Sequence, residues 1–415
     1  MRILLMTYGS RGDVEPFLAL ARGFVKAGHT ARLAAPETYA GLAAGTGVEF
    51  IPLPGDPPAL VAAMVREAGG NPLRMIGVMV RFVYPLAASV YKHLLTAAPG
   101  ADAILHSFLF TQAGYEIARQ LGIPDFSAQM FPMFAPTAAF AAPGFPDLPL
   151  SGIYRRLTHQ ISNGIFRHGG GLLYGQVRRR HPGLPPLTGW PFTTPGRVTP
   201  LLFGFSRHVV PRPVEWPPSV HVTGFWQPDP PREEEIPAEL SRFIDSGTTP
   251  IYIGFGSANP RDSSRLAAIA REAVRLTGQR CILSIGESES ILENDSMNIF
   301  PVNSIPHRWL FPRMFAVVHH GGAGTTGVGL RAGIPNILVP FTADQPFWAS
   351  RVRRLGAGPA PIPLGRLTAR RLAASIDESL RDEAMRERCH NLGRTISAED
   401  GVGEAVSIVL DSCSG

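Results

Sequence analysis

The sequence predicts an α/β protein with two Rossmann-like halves, each built on a doubly wound parallel sheet. In the first half, the strand-like RILLMTY leads into the helix-like VEPFLALARGFVKAG and then into the strand-like TARLAAP. A second alternation begins at PIYIGFGS and continues through SRLAAIAREAVRLTG and QRCILSIG. Alternating strands and helices indicate parallel sheets, because each parallel pair needs a crossover connection. A length of 415 residues also exceeds one ordinary hydrophobic core, so two domains are expected.

The rest of the first half adds further strands and an insertion. VEFIPLP is a third predicted strand, and ADAILHSFL is a later one that leads into a helix ending at Gly122. The helix after the first strand ends at Gly28, since glycine is favoured just past a helix C-terminus. Residues 54–99 are predicted to be a mostly helical insertion containing MIGVMVRFVYPL. Residues 141–195 are rich in proline, glycine and aromatic side chains, so few periodic elements are expected there.

A proline-rich passage, residues 211–237, separates the two alternations and is predicted to be a linker. After it, the predicted strands include MFAVVHH and PNILVPF, and the predicted helices are GTTGVGLRAG, QPFWASRVRRLG and LTARRLAASIDESLRD. Thr368 is expected to cap the last of these helices. The predicted organisation is an N-terminal domain (1–212), a linker (213–238), a C-terminal domain (239–395) and a C-terminal helix (396–415) that could pack back on the N-terminal domain. Small ligands commonly bind in the cleft between two such domains.

Charge and cysteine content argue against several classes of protein. The formal net charge is +6, but the densest basic run, residues 178–180, is short and lacks interleaved aromatics, so no nucleic-acid patch is predicted. Cys281, Cys389 and Cys413 are far apart and show neither a disulfide nor a metal spacing, which favours a reducing cytoplasm. We also find no signal-peptide leader and no apolar run of about 18 residues, so a cytoplasmic protein without a membrane span is expected.

The segment HHGGAGTT, residues 319–326, follows a predicted strand and opens a predicted helix. Its glycines let the backbone approach a ligand closely, and its first helical turn carries no acidic residue. Because a helix N-terminus attracts anions, His320, Gly322, Gly324 and Thr325 predict an anion site. The segment lacks the lysine of a Walker A loop, which argues against a nucleoside-triphosphate hydrolase. A tight glycine turn with a core histidine is the alternative interpretation.

Two more turns follow predicted strands. Asp344 and Gln345 come after PNILVPF, at the carboxyl edge where open parallel sheets bind ligands. A carboxylate beside an amide suits sugar hydroxyls, although a capped helix start explains the pair equally well. IGFGS, residues 253–257, places Gly256 and Ser257 at another strand end and is a weak signal by itself.

The turn GSRGDVEPF, residues 9–17, has the layout of a phosphate-binding turn with the wrong charge. Asp13 and Glu15 lie in the first turn of the predicted helix, where they would repel a phosphate. The turn also lacks the G-x-G-x-x-G spacing of a dehydrogenase. Asp is a favoured helix cap, so capping alone explains Asp13, and capping would lower its pKa.

Together, HHGGAGTTGVGLRAGIPNILVPFTADQPFW, the preceding Trp309 segment and GSRGDVEPF resemble the family 1 nucleotide-sugar glycosyltransferases of the GT-B fold. Within that family the resemblance is to sterol glucosyltransferases and to bacterial enzymes that glycosylate antibiotic and other natural-product aglycones. It covers both ends of the chain and the C-terminal half densely, whereas residues 55–200 resemble no named family. The resemblance implies two Rossmann-like domains that face each other across a cleft.

The resemblance assigns the nucleotide sugar to the C-terminal domain. The residues expected to contact it are Gly256, Ser257, Trp309, His320, Gly322, Gly324, Thr325, Asp344 and Gln345. Among these, His320 and the glycine turn would hold the diphosphate, and the Asp-Gln pair would bind the sugar hydroxyls. Trp309 would lie near the base, with a core tryptophan as the alternative. Plant members have a ribose-binding Glu where this chain has Val328, so the choice between UDP and dTDP stays open.

The resemblance places Asp13 across the cleft as the base, with Ser10, Arg11 and Gly12 beside the acceptor. Direct attack by the acceptor hydroxyl would invert the anomeric carbon. The helix at Thr325 would stabilise the departing diphosphate without a metal or a further cofactor. We therefore predict an inverting, metal-independent glycosyltransferase that moves a sugar from a UDP- or dTDP-sugar to a hydrophobic small molecule, such as a polyketide or macrolide aglycone.

Several alternatives stay open. One is a sterol or lipid glucosyltransferase at a membrane surface, with MIGVMVRFVYPL lying on the bilayer, although an acceptor-pocket wall or core helix is the favoured role of that segment. Another is a catalytically inactive partner protein that binds nucleotide sugars. A GT-B sugar epimerase would need similar donor groups but no acceptor region as apolar as residues 61–95. The acceptor, the sugar and the oligomeric state are not predicted.

Overall fold

The computed structural model describes residues 1–63, 67, 72–180, 187–193, 196, 198–230, 236–256, 260–284, 298–303 and 305–414. The chain divides into two compact units. The N-terminal unit comprises Met1–Pro228 and Asp400–Gly415, and the C-terminal unit is Asp229–Glu399.

The elements alternate along both units. The strands are β1 (Arg2–Met6), β2 (Thr30–Pro36), β3 (Glu49–Leu53), β4 (Ala103–His106), β5 (Asp125–Gln129), β6 (Leu201–Phe203), β7 (Val220–Val222), β8 (Ile251–Gly254), β9 (Cys281–Ser284), β10 (Ile299–Val302), β11 (Val317–His319) and β12 (Asn336–Leu338). The α-helices are α1 (Arg11–Lys26), α2 (Ala40–Ala43), α3 (Pro57–Ala63), α4 (Pro72–Ala97), α5 (Thr111–Leu121), α6 (Gly152–Arg180), α7 (Ala238–Asp245), α8 (Pro260–Thr277), α9 (His307–Leu310), α10 (Ala323–Arg331), α11 (Gln345–Arg354), α12 (Ala369–Arg381), α13 (Glu383–Ser397) and α14 (Gly401–Ser414).

The N-terminal unit contains a parallel sheet in the order β3-β2-β1-β4-β5-β6-β7. Strand β1 is buried from Ile3 to Met6, as expected for a strand covered on both faces by helices. Helix α1 follows it, and the chain leaves this helix through Gly28 at φ +83°, a left-handed conformation that favours glycine. Helix α14 packs on α1 so closely that a Cβ at Gly23 would meet the side chain of Val402.

The C-terminal unit contains a second parallel sheet in the order β10-β9-β8-β11-β12. Apolar side chains from its strands and from α8 and α12 form one core cluster, which includes Ile253, Val318 and Ile376. The predicted cap of α12 is confirmed, because the Thr368 hydroxyl accepts a hydrogen bond from Arg371 N at 3.3 Å. Two doubly wound parallel sheets therefore confirm the predicted α/β fold class.

The structure corrects two predictions about elements. Residues 213–228, predicted to be linker, belong to the N-terminal unit, and β7 within them pairs with β6. Residues 141–195, predicted to have few periodic elements, contain the 29-residue helix α6. Its glycines and its exposed apolar residues hide the usual amphipathic period. No helix among the described residues is long and apolar enough to cross a bilayer.

Candidate active site

Each sheet reverses its strand order at one point, and several of the predicted site residues lie in the turns beside those points. In the N-terminal unit the reversal lies between β1 and β4, and in the C-terminal unit it lies between β8 and β11. Ligands of open parallel sheets bind outside the carboxyl ends of the strands at such switch points. The turns after β1, β8 and β11 lie at these points. Among the described residues, no three His, Cys, Asp or Glu side chains are grouped as metal ligands.

In the C-terminal unit, His320 lies between two glycines that were predicted from separate motifs. A Cβ on Gly256, which has φ +71°, would lie 3.0 Å from His320 Cε1. A Cβ on Gly322 would lie 2.8 Å from His320 Nε2. The turn after β8 and the start of α10 thus meet at the imidazole, and both positions must be glycine for the ring to keep this place. Ser257, predicted to contact the donor, lies outside the described residues.

The imidazole of His320 is neutral near pH 7. Burial lowers the pKa of His320 to about 4, because the charged form loses hydration. Within the described part of the chain, its buried Nδ1 has no hydrogen-bond partner. A neutral ring with an unused nitrogen can hydrogen-bond an oxygen-rich ligand, and an anion held beside it would favour protonation of the ring.

His319 has a different role from its neighbour. It is fully buried, its Nδ1 accepts a hydrogen bond from Gly321 N at 3.1 Å, and its Nε2 is 3.1 Å from Asn336 Oδ1. An accepting Nδ1 requires the proton on Nε2, which therefore donates to Asn336. Burial also lowers the pKa of His319 to about 3. His319 is the core histidine of the alternative interpretation, and it holds Gly321 at φ +88° beneath the site.

Helix α10 begins at the same place without a side-chain cap. Its N-cap is Gly322, and no acidic residue lies in its first turn. The first N–H groups of a helix have no acceptor within the helix, so the N–H groups at Gly324 and Thr325 point outward from the turn. Thr326 N is the first to bond back, to Gly322 O at 2.9 Å. The arrangement provides the backbone donors and the positive end of the helix dipole that an anion needs.

Asp344 and Gln345 form the start of α11, after β12. Asp344 Oδ2 accepts a hydrogen bond from the buried Trp348 Nε1 at 2.9 Å, which orients the carboxylate. Gln345 Oε1 accepts from Phe341 N at 2.7 Å and from Thr342 N at 3.2 Å. The amide oxygen is thus used within the turn, and Gln345 offers a ligand its Nε2 donor rather than both functions. Ala343, between these groups, is held at φ +57°, a strained conformation for a residue with a Cβ.

Trp309 is part of the hydrophobic core. It is 6% exposed and packs with Tyr252, Leu310 and their neighbours in one cluster. The guanidinium of Arg313 lies 4.3 Å from the centre of its ring. This burial matches the core-tryptophan alternative.

In the N-terminal unit, Asp13 is tied to the turn that carries it. Asp13 Oδ2 accepts hydrogen bonds from Ser10 N at 2.7 Å and from Ser10 Oγ at 2.8 Å. Ser10 is the N-cap of α1, so Asp13 caps from the third helical position rather than as the N-cap itself. A Cβ at Gly9 would meet the Asp13 carboxylate, which explains the glycine there. Of the other predicted acceptor-side residues, Gly12 is exposed and Arg11 is paired with Glu15 at 2.7 Å.

The expected direction of the Asp13 pKa was wrong. Capping was expected to lower it, but burial raises the pKa of Asp13 above its ordinary 3.8 and outweighs the two hydrogen bonds from Ser10. Desolvation of the charged form explains the direction. The phenol of Tyr39 is close enough that the Asp13 carboxylate, after burial, raises the pKa of Tyr39 as well. A partly buried carboxylate with a raised pKa is a better proton acceptor than a solvated one.

An apolar cavity of about 390 Å³ adjoins the switch point of the N-terminal unit. Tyr8, which follows β1, contributes to its lining, and most of its wall comes from α4 and α6, including Leu86, Val90 and Leu173. The lining also contains five residues with polar side chains: Tyr8, Asp56, Tyr91, Gln112 and Tyr174. The sequence predicted an acceptor region in residues 61–95, of which 64–66 and 68–71 lie outside the described residues. It missed the contribution of α6, because that helix was not predicted.

Comparisons with known proteins identify the family of the chain. Residues 3–140 match the glycosyltransferase family 28 N-terminal domain, and residues 272–411 match the C-terminal domain of erythromycin biosynthesis protein CIII-like proteins. The O-mycaminosyltylonolide 6-deoxyallosyltransferase of Streptomyces fradiae is 34% identical over 99% of this chain and 97% of its own length. The chain belongs to the family 1 glycosyltransferases of the GT-B fold. The chain is therefore an enzyme that transfers glycosyl groups.

Other relatives of the glycosyltransferase act on sterols. A sterol 3-beta-glucosyltransferase of Arabidopsis thaliana is 33% identical over 98% of this chain, but the chain spans only 64% of that protein. The corresponding protein of Yarrowia lipolytica is 34% identical, and the chain spans 28% of it. Among solved structures, the glycosyltransferase SnogD of Streptomyces nogalater superposes with a TM-score of 0.69 over 100% of this chain and 99% of its own. At 18% identity, this last likeness supports the fold alone.

Proposed function

We propose that the glycosyltransferase moves a sugar, with inversion and without a metal, from a UDP- or dTDP-sugar to a hydroxyl of a hydrophobic small molecule in the cytoplasm. The observation that carries the proposal is the position of His320 between Gly256 and Gly322, at the uncapped start of α10. That arrangement offers an anion backbone donors, a neutral imidazole and a helix dipole in one place. A diphosphate is the anion that a sugar donor for this class of enzyme would carry.

Catalysis at this site requires that the leaving diphosphate be stabilised as its charge develops. The N–H groups at Gly324 and Thr325 and the imidazole of His320 are preorganised to do so, since the glycines fix the ring and the helix fixes the donors. One well-aimed donor of this type typically lowers the barrier by about 3 kcal/mol. Asp344 and the Nε2 of Gln345 would bind the sugar hydroxyls, and Trp348 would fix the direction of the carboxylate.

Asp13 is the proposed base. Ser10 occupies one of its carboxylate oxygens with two hydrogen bonds, and within the described residues Oδ1 has no protein donor. Oδ1 can therefore accept the proton of the acceptor hydroxyl while Ser10 holds the group in place. A positioned base typically contributes about 10²–10⁴ in rate. Attack by that hydroxyl from the face opposite the diphosphate would invert the anomeric carbon.

The apolar cavity beside Tyr8 supports a hydrophobic acceptor. Its wall is built from aliphatic and aromatic side chains, with a few hydroxyl and amide groups to orient the ligand. A polyketide or macrolide aglycone fits this description, and the relative from Streptomyces fradiae is named for transfer to O-mycaminosyltylonolide. A sterol is the second candidate, supported by the similarity to sterol 3-beta-glucosyltransferases.

The test is a matrix of donors and acceptors. The purified enzyme is incubated with UDP-glucose or dTDP-glucose, together with a macrolide aglycone, a sterol or no acceptor, and release of nucleoside diphosphate is measured. The proposal expects release that depends on an acceptor, and NMR of the product should show the anomeric configuration opposite to that of the donor. Retention of configuration would contradict the mechanism, and release with the sterol alone would move the acceptor class to the second candidate.

A further inference from the structure

Helix α6 carries a continuous row of apolar side chains that faces solvent. Ile153, Leu157, Ile161 and Ile165 are spaced by four residues, and Leu172 continues the row; these five residues are named the α6 face. Ile153 is 80% exposed and Leu172 is 72% exposed. With a rise of about 1.5 Å per residue, the row extends for about 28 Å along the helix. Single exposed leucines are ordinary on protein surfaces, but five in one row mark an interaction surface.

The charge on helix α6 itself is of one sign. Helix α6 contains six arginines and no aspartate or glutamate. By helical geometry, the exposed Arg156 lies beside Ile153 at one end of the apolar row, and the exposed Arg179 lies beyond Leu172 at the other end. Arg155 belongs to the inner side, because it donates to the carbonyl oxygens of Ala138 and Ala139. Glu215 is an acidic group near Arg156: a hydrogen bond from Ala138 N, with smaller contributions that include the charge of Arg156, lowers the pKa of its carboxyl.

We infer that the α6 face docks on a membrane surface that contains anionic lipids. An apolar row flanked by arginines is the arrangement with which an amphipathic helix lies in the interface of a bilayer. The apolar side chains would enter the boundary between headgroups and acyl chains, and the arginines would pair with lipid phosphates. A second copy of this chain is disfavoured as the occupant, because two α6 faces would bring like-charged arginines together.

The inner side of α6 connects this surface to the acceptor cavity. Gly170, Leu173, Tyr174 and Val177 of the same helix line the cavity. A bilayer contacted by the outer side would therefore lie one helix diameter, about 10 Å, from the cavity wall. Delivery of a membrane-dissolved acceptor through this neighbourhood rests on the proposed function, whereas lipid binding by the α6 face does not.

Co-sedimentation of the full chain with vesicles tests the inference. The enzyme is mixed with vesicles of phosphatidylcholine alone or with a quarter of the lipid as phosphatidylglycerol. It should sediment with the anionic vesicles, and high salt should release it. The triple variant Ile153→Ser, Leu157→Ser, Ile161→Ser should lower the bound fraction about tenfold. Arg156→Gln with Arg179→Gln should weaken binding about fivefold for each arginine removed. Val214→Ser, at a side chain 97% exposed outside α6, is the matched control and should bind like the wild type.

Three results would overturn the inference. They are a wild-type enzyme that stays in the supernatant with anionic vesicles, a triple variant that binds as tightly as the wild type, and a wild-type dimer that the triple variant dissociates. Nucleotide release with a water-soluble acceptor shows separately whether the variants remain folded and active, so failure of lipid binding can be told apart from failure of the proposed function. Should the triple variant misfold, Ile161→Trp replaces it, and its fluorescence should be quenched by brominated lipid while that of Val214→Trp is not.

Discussion

Helices α1 and α10 begin in the same kind of place and use their first turns in opposite ways. Each follows a buried parallel strand next to a switch point of its sheet. In α1, the N–H and hydroxyl of Ser10 donate to Asp13, so the chain supplies its own anion. In α10 the N-cap is Gly322, which has no side chain to accept from the first N–H groups. The first start is closed by a carboxylate, and the second is left for a ligand.

The first N–H groups of a helix have no acceptor within the helix. The comparison shows that the group that accepts from them determines the chemistry of the helix start. A carboxylate that caps its own helix repels phosphate. Burial raises its pKa, which makes it a better proton acceptor. An uncapped glycine start beside a neutral histidine has donors and no competing charge. The mismatch between GSRGDVEPF and a phosphate-binding turn therefore supports the proposal that Asp13 is an acceptor-side base.

Replacement of Asp13 should have the largest effect. We expect Asp13→Asn to lower kcat about 10²–10⁴-fold, because the amide can still accept from Ser10 but cannot take a proton. Stability should not fall at neutral pH. A raised pKa contributes stability that is present at acid pH and is lost as pH rises through the folded pKa, so the variant should gain relative to the wild type above that value. Kinetics and thermal unfolding across pH measure both quantities.

Glu15→Gln is the matched control for Asp13→Asn. Glu15 is an acidic residue in the same helix, and it forms a pair with Arg11 at the surface. Its replacement should leave kcat nearly unchanged. Normal turnover in Asp13→Asn, with the fold and donor binding intact, would remove Asp13 from the role of base.

Gly256→Ala tests the other turn. The new Cβ would press on His320, so we expect kcat/KM for the nucleotide sugar to fall by about 10², the cost of one misplaced donor. Gly278→Ala is the control, because Gly278 has φ +66° against +71° at Gly256 and nothing lies within 4 Å of its added Cβ. Both variants should lose similar stability, about 1 kcal/mol, from strain at positive φ. Equal loss of activity in both variants would show that strain, rather than the imidazole, is responsible.

Trp348→Phe should have a moderate effect that is confined to the sugar. Loss of the Nε1 hydrogen bond removes one constraint on the orientation of the Asp344 carboxylate, and we expect about a tenfold rise in KM for the nucleotide sugar. Affinity for the free nucleoside diphosphate should stay the same. Trp309→Phe is the control, since its buried Nε1 has no hydrogen-bond partner in the described part of the chain. An equal weakening of nucleoside diphosphate binding in Trp348→Phe would show that Asp344 does not act on the sugar.

The smallest expected effect is a pH dependence of donor binding. The pKa of His320 is about 4 without ligand, and a bound diphosphate should raise it, so binding takes up protons. The affinity for a nucleotide sugar should therefore increase a few-fold as pH falls from neutrality toward 5, a change of about 1 kcal/mol or less. Isothermal titration in buffers of different ionisation enthalpy measures the proton uptake. The His320→Gln variant should show no such uptake, and persistence of the same slope in that variant would assign it to another group.

Much of the architecture was predictable because local patterns repeat along the chain. Buried apolar strands such as β1 and glycines such as Gly28 and Gly122 mark the elements directly, since period and backbone conformation depend on nearby residues. Helix α6 was not predicted, because its outer side is apolar and its glycines interrupt the pattern. Strand β7 was hidden in a proline-rich passage, because its place in the sheet depends on pairing with β6 rather than on its own sequence.

The candidate site likewise has some features that the sequence predicts and others that depend on the tertiary structure. The sequence by itself determined which residue types follow which strands, and so the donor motifs around His320 and the acid at Asp13. Only the tertiary structure brought Gly256 against His320, assigned the Gln345 oxygen to its own turn, and buried Trp309 in the core. It also reversed the expected shift of the Asp13 pKa. The reason is that contacts, hydrogen-bond partners and desolvation depend on residues far apart in the chain, which become neighbours only when the sheets and helices pack.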